Sequence, residues 1–120
     1  MGEDAILRKV DCVQLPVPDL EDGIGFYSRL GLEVAWRRET QAGLRMPETD
    51  IELVLQTDRP NPEIDLLVDS ADDAARRFVE AGGRIVEETF DIEIGRCAVV
   101  EDPWANRIVL VDMTRGPLKP

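Results

Sequence analysis

At 120 residues the chain is one domain's worth of sequence, large enough to bury a core without metal or disulfide staples. Its 25 acidic against 14 basic residues leave a net charge of −11, a field that repels nucleic acid and anionic membranes and attracts cations. There is no histidine, which excludes Ser-His-Asp and Cys-His catalysis, the two-His-one-carboxylate iron triad and His-based zinc sites.

The opening Met1-Gly2-Glu3-Asp4 lacks the basic and apolar regions of a signal peptide. The longest apolar runs, such as Ile108-Val109-Leu110-Val111, are too short to span a bilayer. The expected location is the cytoplasm, and Cys12 and Cys97 are expected to be reduced thiols rather than a disulfide framework.

Val13–Val17 alternates as a strand. Asp19 then supplies a helix N-cap, Leu20, Ile24, Tyr27 and Leu30 recur at helical spacing, and Gly31 stops the helix. Three strand-like runs follow, Leu32–Arg38, Gly43–Pro47 and Ile51–Leu55. Ile64–Val68 is again a strand, Ser70 and Asp73 form a capping-box-like start, Ala71, Ala74, Ala75 and Phe78 give an apolar face, and Gly82 stops the second helix. Gly83–Thr89, Arg96–Glu101 and Arg107–Met113 complete the second set, with a turn at Asp102-Pro103-Trp104-Ala105-Asn106. The two passages superpose at an offset of 51 residues: Asp19 on Ser70, Tyr27 on Phe78, Gly31 on Gly82. Each half reads β-α-β-β-β, and a duplication is the economical explanation.

Val17-Pro18-Asp19-Leu20, followed by Phe26-Tyr27 and Leu30-Gly31-Leu32, resembles the opening of the vicinal-oxygen-chelate superfamily, the glyoxalase, bleomycin-resistance and extradiol ring-cleaving dioxygenase group. Val100-Glu101-Asp102-Pro103-Trp104-Ala105-Asn106-Arg107-Ile108 resembles the closing strand-turn-strand of the same group, and the likeness runs from about Val10 to Met113. The resemblance implies an α+β fold in which two βαβββ modules form an open, cup-shaped, eight-stranded mixed sheet with the helices outside. It also implies a homodimer. Residues 1–120 would be a single domain, with module one about 10–56, module two about 63–113, and a tail over 114–120. Ala105 stands where the family usually carries glycine, so a positive φ there would strain it.

In the family, four cup-facing positions typically hold a divalent metal. Carried onto this chain they fall on Cys12, Glu52, Glu63 and Val109. Cys12 and Glu63 are separated by the same 51 residues as the helices, and Ile51–Val54 lies on Ile108–Val111. Metal-using members show His or Gln at the first-strand positions and Glu at the last-strand ones, and only Glu52 matches. Cys12 is a thiol, Glu63 a carboxylate, and Val109 cannot ligate. The expectation is no catalytic metal and no cofactor, with a divalent metal on Glu52, Glu63 and Cys12 as the alternative.

Strand alternation adds Gln14, Asp65 and Val54 to that face, with Arg107 and Val111 flanking Val109. Three acids, Glu52, Glu63 and Asp65, would repel one another and so favour a cationic or amine-bearing ligand, unless they are solvated at a wet mouth. Phe26, Tyr27 and Phe78 read as helix core; Trp36, Phe90 and Trp104 are candidates to wall a pocket, Trp104 being equally a lid over the core. Arg37, Arg38 and Arg45 read as a charged hairpin face, and no phosphate-binding glycine loop is present. The expected ligand contacts are Cys12, Gln14, Trp36, Glu52, Glu63, Asp65, Trp104 and Val109.

The expected function is that of a glyoxalase- or bleomycin-resistance-like protein binding a small molecule without a catalytic metal. The alternative is a lyase or isomerase of the glyoxalase/epimerase type, with Glu52 or Glu63 as catalytic base, with or without a metal. Lack of histidine argues against a dioxygenase. A metal enzyme using Cys12 and a dimeric scaffold without pocket chemistry are further possibilities, and no nucleic-acid or membrane partner is expected.

Overall fold

Short polar side chains start both helices. Asp19 is extended (φ −143°, ψ 127°) and its carboxylate accepts the backbone N–H of Asp22 at 2.9 Å. Ser70 has nearly the same backbone (φ −142°, ψ 120°), and its hydroxyl accepts from Asp73 N at 3.2 Å. Past the helix ends, Gly31 and Gly82 take φ of 96° and 116°, which a side chain would oppose.

The computed structural model describes residues 5–116. Its elements in order are β1 (Lys9–Pro16), α1 (Leu20–Ser28), β2 (Glu33–Arg37), β3 (Gln41–Arg45), β4 (Glu52–Gln56), β5 (Glu63–Leu67), α2 (Ala71–Glu80), β6 (Arg84–Ile92), β7 (Gly95–Glu101) and β8 (Arg107–Val111). The class is α+β and β-α-β-β-β occurs twice. Residues 1–4, read above for a leader, and 117–120 of the expected tail lie outside the described residues.

Two compact units result: residues 11–63, and residues 64–116 together with 5–10. In the first, strands are ordered β2-β3-β4-β1, antiparallel except for the parallel β1–β4 pair. The second repeats this as β6-β7-β8-β5, with β5–β8 parallel. In the first unit Leu20, Ala42, Leu44 and Leu55 form the core beneath α1, joined by Leu15, Ile24, Tyr27 and Leu53. In the second unit Val68, Ala71, Ala74, Ala75, Ala98, Val100 and Leu110 form the core beneath α2. A further cluster there comprises Cys97, Val99, Val109 and Val111 with Val86, Ile92 and Ile94.

Several elements differ from expectation. β3 starts at Gln41 rather than Gly43, because the Arg38 N–H reaches Gln41 O at 2.8 Å and closes a tight turn. β8 stops at Val111: Asp112 N still donates to Arg96 O at 2.9 Å, but the Arg96 N–H goes to the Asp112 carboxylate at 2.9 Å, which also accepts Ala71 N at 2.8 Å and the Thr114 hydroxyl at 2.9 Å. Phe26 is not core; it is 51% exposed, edge-on to Tyr27 with Arg29 over its ring. Nor is Trp104 a lid, being 79% exposed. It is held outward by a turn in which Asp102 Oδ1 accepts the N–H groups of Trp104 and Asn106, both at 2.9 Å. Ala105 in that turn has the positive φ (69°) that the missing glycine implied.

Candidate functional site

Alternation divides the side chains of the first unit's sheet between two faces. Leu15, Leu53, Leu55 and Leu44 pack with the helix. The opposite parity puts Cys12 and Gln14 of β1, Glu52, Val54 and Gln56 of β4, and Gly43 of β3 on the other face. Strand register aligns three of these positions in one row with Trp36 of β2: Trp36 opposite Gly43, Gly43 opposite Val54, Val54 opposite Gln14. Cys12 is opposite Glu52 in the adjacent row.

Gly43 makes this row possible. A Cβ at that position would fall 2.1 Å from Trp36 Nε1 and 2.8 Å from Glu52 Oε1, so the indole lies directly on the β3 backbone. From there Trp36 Nε1 donates to Glu52 Oε1 at 2.8 Å. Trp36 is buried, and Glu52 is partly exposed with one oxygen oriented by the indole.

Beside the row a second network involves a residue that strand periodicity did not mark. Arg59 Nε donates to Glu63 Oε1 at 2.6 Å, and its Nη2 donates to Gln14 Oε1 at 2.6 Å. Glu63 and Gln14 are 4% and 7% exposed, whereas the Arg59 side chain is 35% exposed. Arg59 is delivered there by Gln56, a fully buried amide. Its Oε1 accepts the N–H groups of Asp58 (2.7 Å) and Arg59 (2.8 Å), and its Nε2 donates to Arg59 O (2.9 Å). Arg59 also lines an open groove of about 500 Å³, together with Pro16, Val17 and Pro18 and the loop residues Thr57, Asp58 and Pro60.

In the second unit Val109 is opposite Asp65 on one side and Val99 on the other. Its neighbours Cys97, Val99 and Val111 make this an apolar surface, with buried Asp65 beside it on β5. The register there differs by two residues from that of the first unit: Cys12 is across from Glu52, but Asp65, not Glu63, is across from Val109. Arg107 is exposed and pairs at 3.8 Å with Glu101, so the guanidinium that meets a site acid is that of Arg59 instead. Both cysteines are buried and unbridged. Among the described residues no three His, Cys, Asp or Glu side chains are grouped to hold a metal ion.

A family model described as Glyoxalase/Bleomycin resistance protein/Dioxygenase superfamily matches residues 9–110. Among solved structures, the chain is similar to a methylmalonyl-CoA epimerase from Mycobacterium tuberculosis, with 21% identity, a TM-score of 0.77, and 93% of this chain and 92% of that one covered. It is also similar to homoprotocatechuate 2,3-dioxygenase from Brevibacterium fuscum (26% identity, TM-score 0.69), covering 94% of this chain but 39% of that one. A Mn(II)-bound glyoxalase from Novosphingobium aromaticivorans gives 21% identity and a TM-score of 0.67 over 95% of this chain and 42% of that one. No curated protein matches the chain significantly.

Proposed function

Because the chain belongs to the glyoxalase/bleomycin resistance protein/dioxygenase superfamily, we propose that it binds a small molecule on the polar sheet face of residues 11–63, without a catalytic metal. Cys12, Gln14, Trp36, Glu52 and Glu63 are the contacts on that face. Asp65, Val109 and Trp104, also expected as contacts, lie in the second unit, and Trp104, 79% exposed, is the weakest member of the expected set.

The observation that carries this reading is the Arg59–Glu63 ion pair at 2.6 Å. Of the four positions where the family places a metal, Val109 has no donor atom and Glu63 already has a guanidinium on its oxygen. That leaves Cys12 and Glu52, neighbours across the β1–β4 ladder. A soft thiolate and a hard carboxylate prefer different ions, and two donors are too few for a stable divalent site. The residues present do not fit the metal.

A second reading is favoured by the Trp36–Glu52 bond. A carboxylate with one oxygen fixed and partial exposure is suited to take a proton from a carbon next to a carbonyl. Lyases and isomerases work this way, and the solved structures of similar fold include an epimerase.

The reading includes a homodimer, a cytoplasmic location and no nucleic-acid partner, the last from the net charge of −11. No helix among the described residues is long and apolar enough to cross a membrane. Native mass spectrometry of the purified protein, with thermal-shift screening of small amines, acids and neutral compounds, tests the binding function. A hit weakened by Glu52→Gln supports it. No ligand by either method, or hits unaffected by Glu52→Gln, Gln14→Ala and Cys12→Ser, would overturn it.

A further inference from the structure

The segment after β4 reads Thr57-Asp58-Arg59-Pro60-Asn61-Pro62, and Gln56 fixes the Arg59 backbone on both its N–H and its carbonyl. The movable part of Arg59 is therefore its side chain. On one side lie two buried acceptors, Glu63 and Gln14, both reached at 2.6 Å. On the other lies the open groove, which Asp58 also lines; its carboxylate accepts the Thr40 hydroxyl at 2.8 Å. Arg59 thus touches both the buried acceptors and the groove.

We propose that Glu63 and Gln14 form a receptor site for a guanidinium or primary-amine group of a ligand, held closed by Arg59 as its internal occupant. This inference rests on the small-molecule-binding reading above and assigns it a ligand class. A carboxylate with 4% exposure needs a compensating cation in every state, since leaving it alone is costly. A ligand cation can replace the arginine with no net change of charge at Glu63. An anionic or neutral ligand cannot, so the exchange selects for positive charge by penalising the alternatives. The displaced guanidinium turns into the groove that Arg59 already lines, without movement of the backbone that Gln56 holds. Because Arg59 competes for its own site, apparent affinity is lowered by the fraction of time the gate is closed.

Ethylguanidinium and ethylammonium chloride serve as probes, compared with sodium chloride at equal ionic strength by thermal shift and calorimetry. Arg59→Gln should bind the organic cations at least about tenfold more tightly than the wild type, because the competitor is gone. Glu63→Gln added to Arg59→Gln should abolish that gain. Equal affinity in wild type and Arg59→Gln, or binding that survives the double substitution, overturns the gate. Arg59→Ala repeats the test if Arg59→Gln fails to fold. Failure of both to fold makes Arg59 a structural brace and also overturns the proposal. Ligand recovery from the wild type is independent of these variants. A recovered ligand held equally by wild type and Arg59→Gln sinks the gate and leaves the binding function standing.

Discussion

Trp36 and Glu52 are joined across an intervening strand: the indole Nε1 of β2 donates to the carboxylate of β4 at 2.8 Å, passing over Gly43 of β3. The bond exists only because β3 has no side chain at that point. Gly43→Ala should therefore destabilise the protein by about 1–3 kcal/mol through overpacking, against no change for a merely permissive glycine. Denaturant melts in a Trp104→Phe background check this, since Trp36 is then the only indole and its emission should move to the red. An unchanged midpoint and spectrum would contradict it.

The two partners of the Arg59–Glu63 pair differ in burial, so their removal should differ in cost. Arg59→Ala leaves a buried carboxylate uncompensated and should cost about 3 kcal/mol. Glu63→Gln leaves a guanidinium that can turn to solvent and should cost about 1 kcal/mol. Equilibrium unfolding of both variants gives the order, and a reversed order would mean that Glu63 is not the dependent partner.

Asp112 gives a pH dependence. Burial pushes its carboxyl up, but the N–H groups of Ala71 and Arg96, with the hydroxyl and N–H of Thr114, outweigh this and hold it below the usual carboxylate range. Its folded-state pKa is thus depressed relative to the unfolded chain. The stability it contributes is present above the ordinary aspartate pKa and is lost as pH falls through the folded value. Asp112→Asn should cost about 1–3 kcal/mol near neutrality and flatten the acid limb of the stability profile. Parallel profiles for both proteins would place the acid sensitivity elsewhere.

Elemental analysis of protein purified without chelators should find well under one nickel, zinc or manganese per subunit. A ratio near one that disappears in Glu52→Gln would reverse the assignment of the Cys12–Glu52 pair.

Light scattering at micromolar concentration should give the mass of a dimer. β2 and β6 are the outermost strands of their units and carry exposed apolar side chains, Val34 at 40% and Phe90 at 39%. A biological contact there should bury more than about 1,000 Å². A monomer mass would refute the dimer.

The helix starts at Asp19 and Ser70, the stops at Gly31 and Gly82, and the positive φ at Ala105 were all readable because each is set within a few residues. The repeat added the β-α-β-β-β succession of elements in each half, since the same pattern must bury the same surfaces. Arg59 was not readable. It lies in a Pro-rich connection with no periodicity, and it meets Gln14 across 45 residues of chain through a backbone shape that Gln56 imposes. Without Arg59, Glu63 reads as one of several bare acids. The alignment of Asp65 with Val109 was not readable for a related reason: strand register is set by the ladder itself, not by the spacing of the helices. Phe26 and Trp104 show that an aromatic type alone does not place a side chain inside.

Residues 5–10 pack with 64–116, not with the residues that follow them. Arg8 N donates to Leu67 O at 2.8 Å, its guanidinium holds Asp69 at 2.7 Å, and Ile6 rests on the core beneath α2. A gene cut between codons 63 and 64 would thus yield unequal fragments. The upstream piece would carry, as an appendage, a strip that the downstream piece needs in order to be whole. Separately made, the downstream piece would fold with an uncovered edge; mixed, the two could regain it only by reassociating. Splitting this duplicated chain at its apparent seam therefore gives a complementing pair rather than two independent domains.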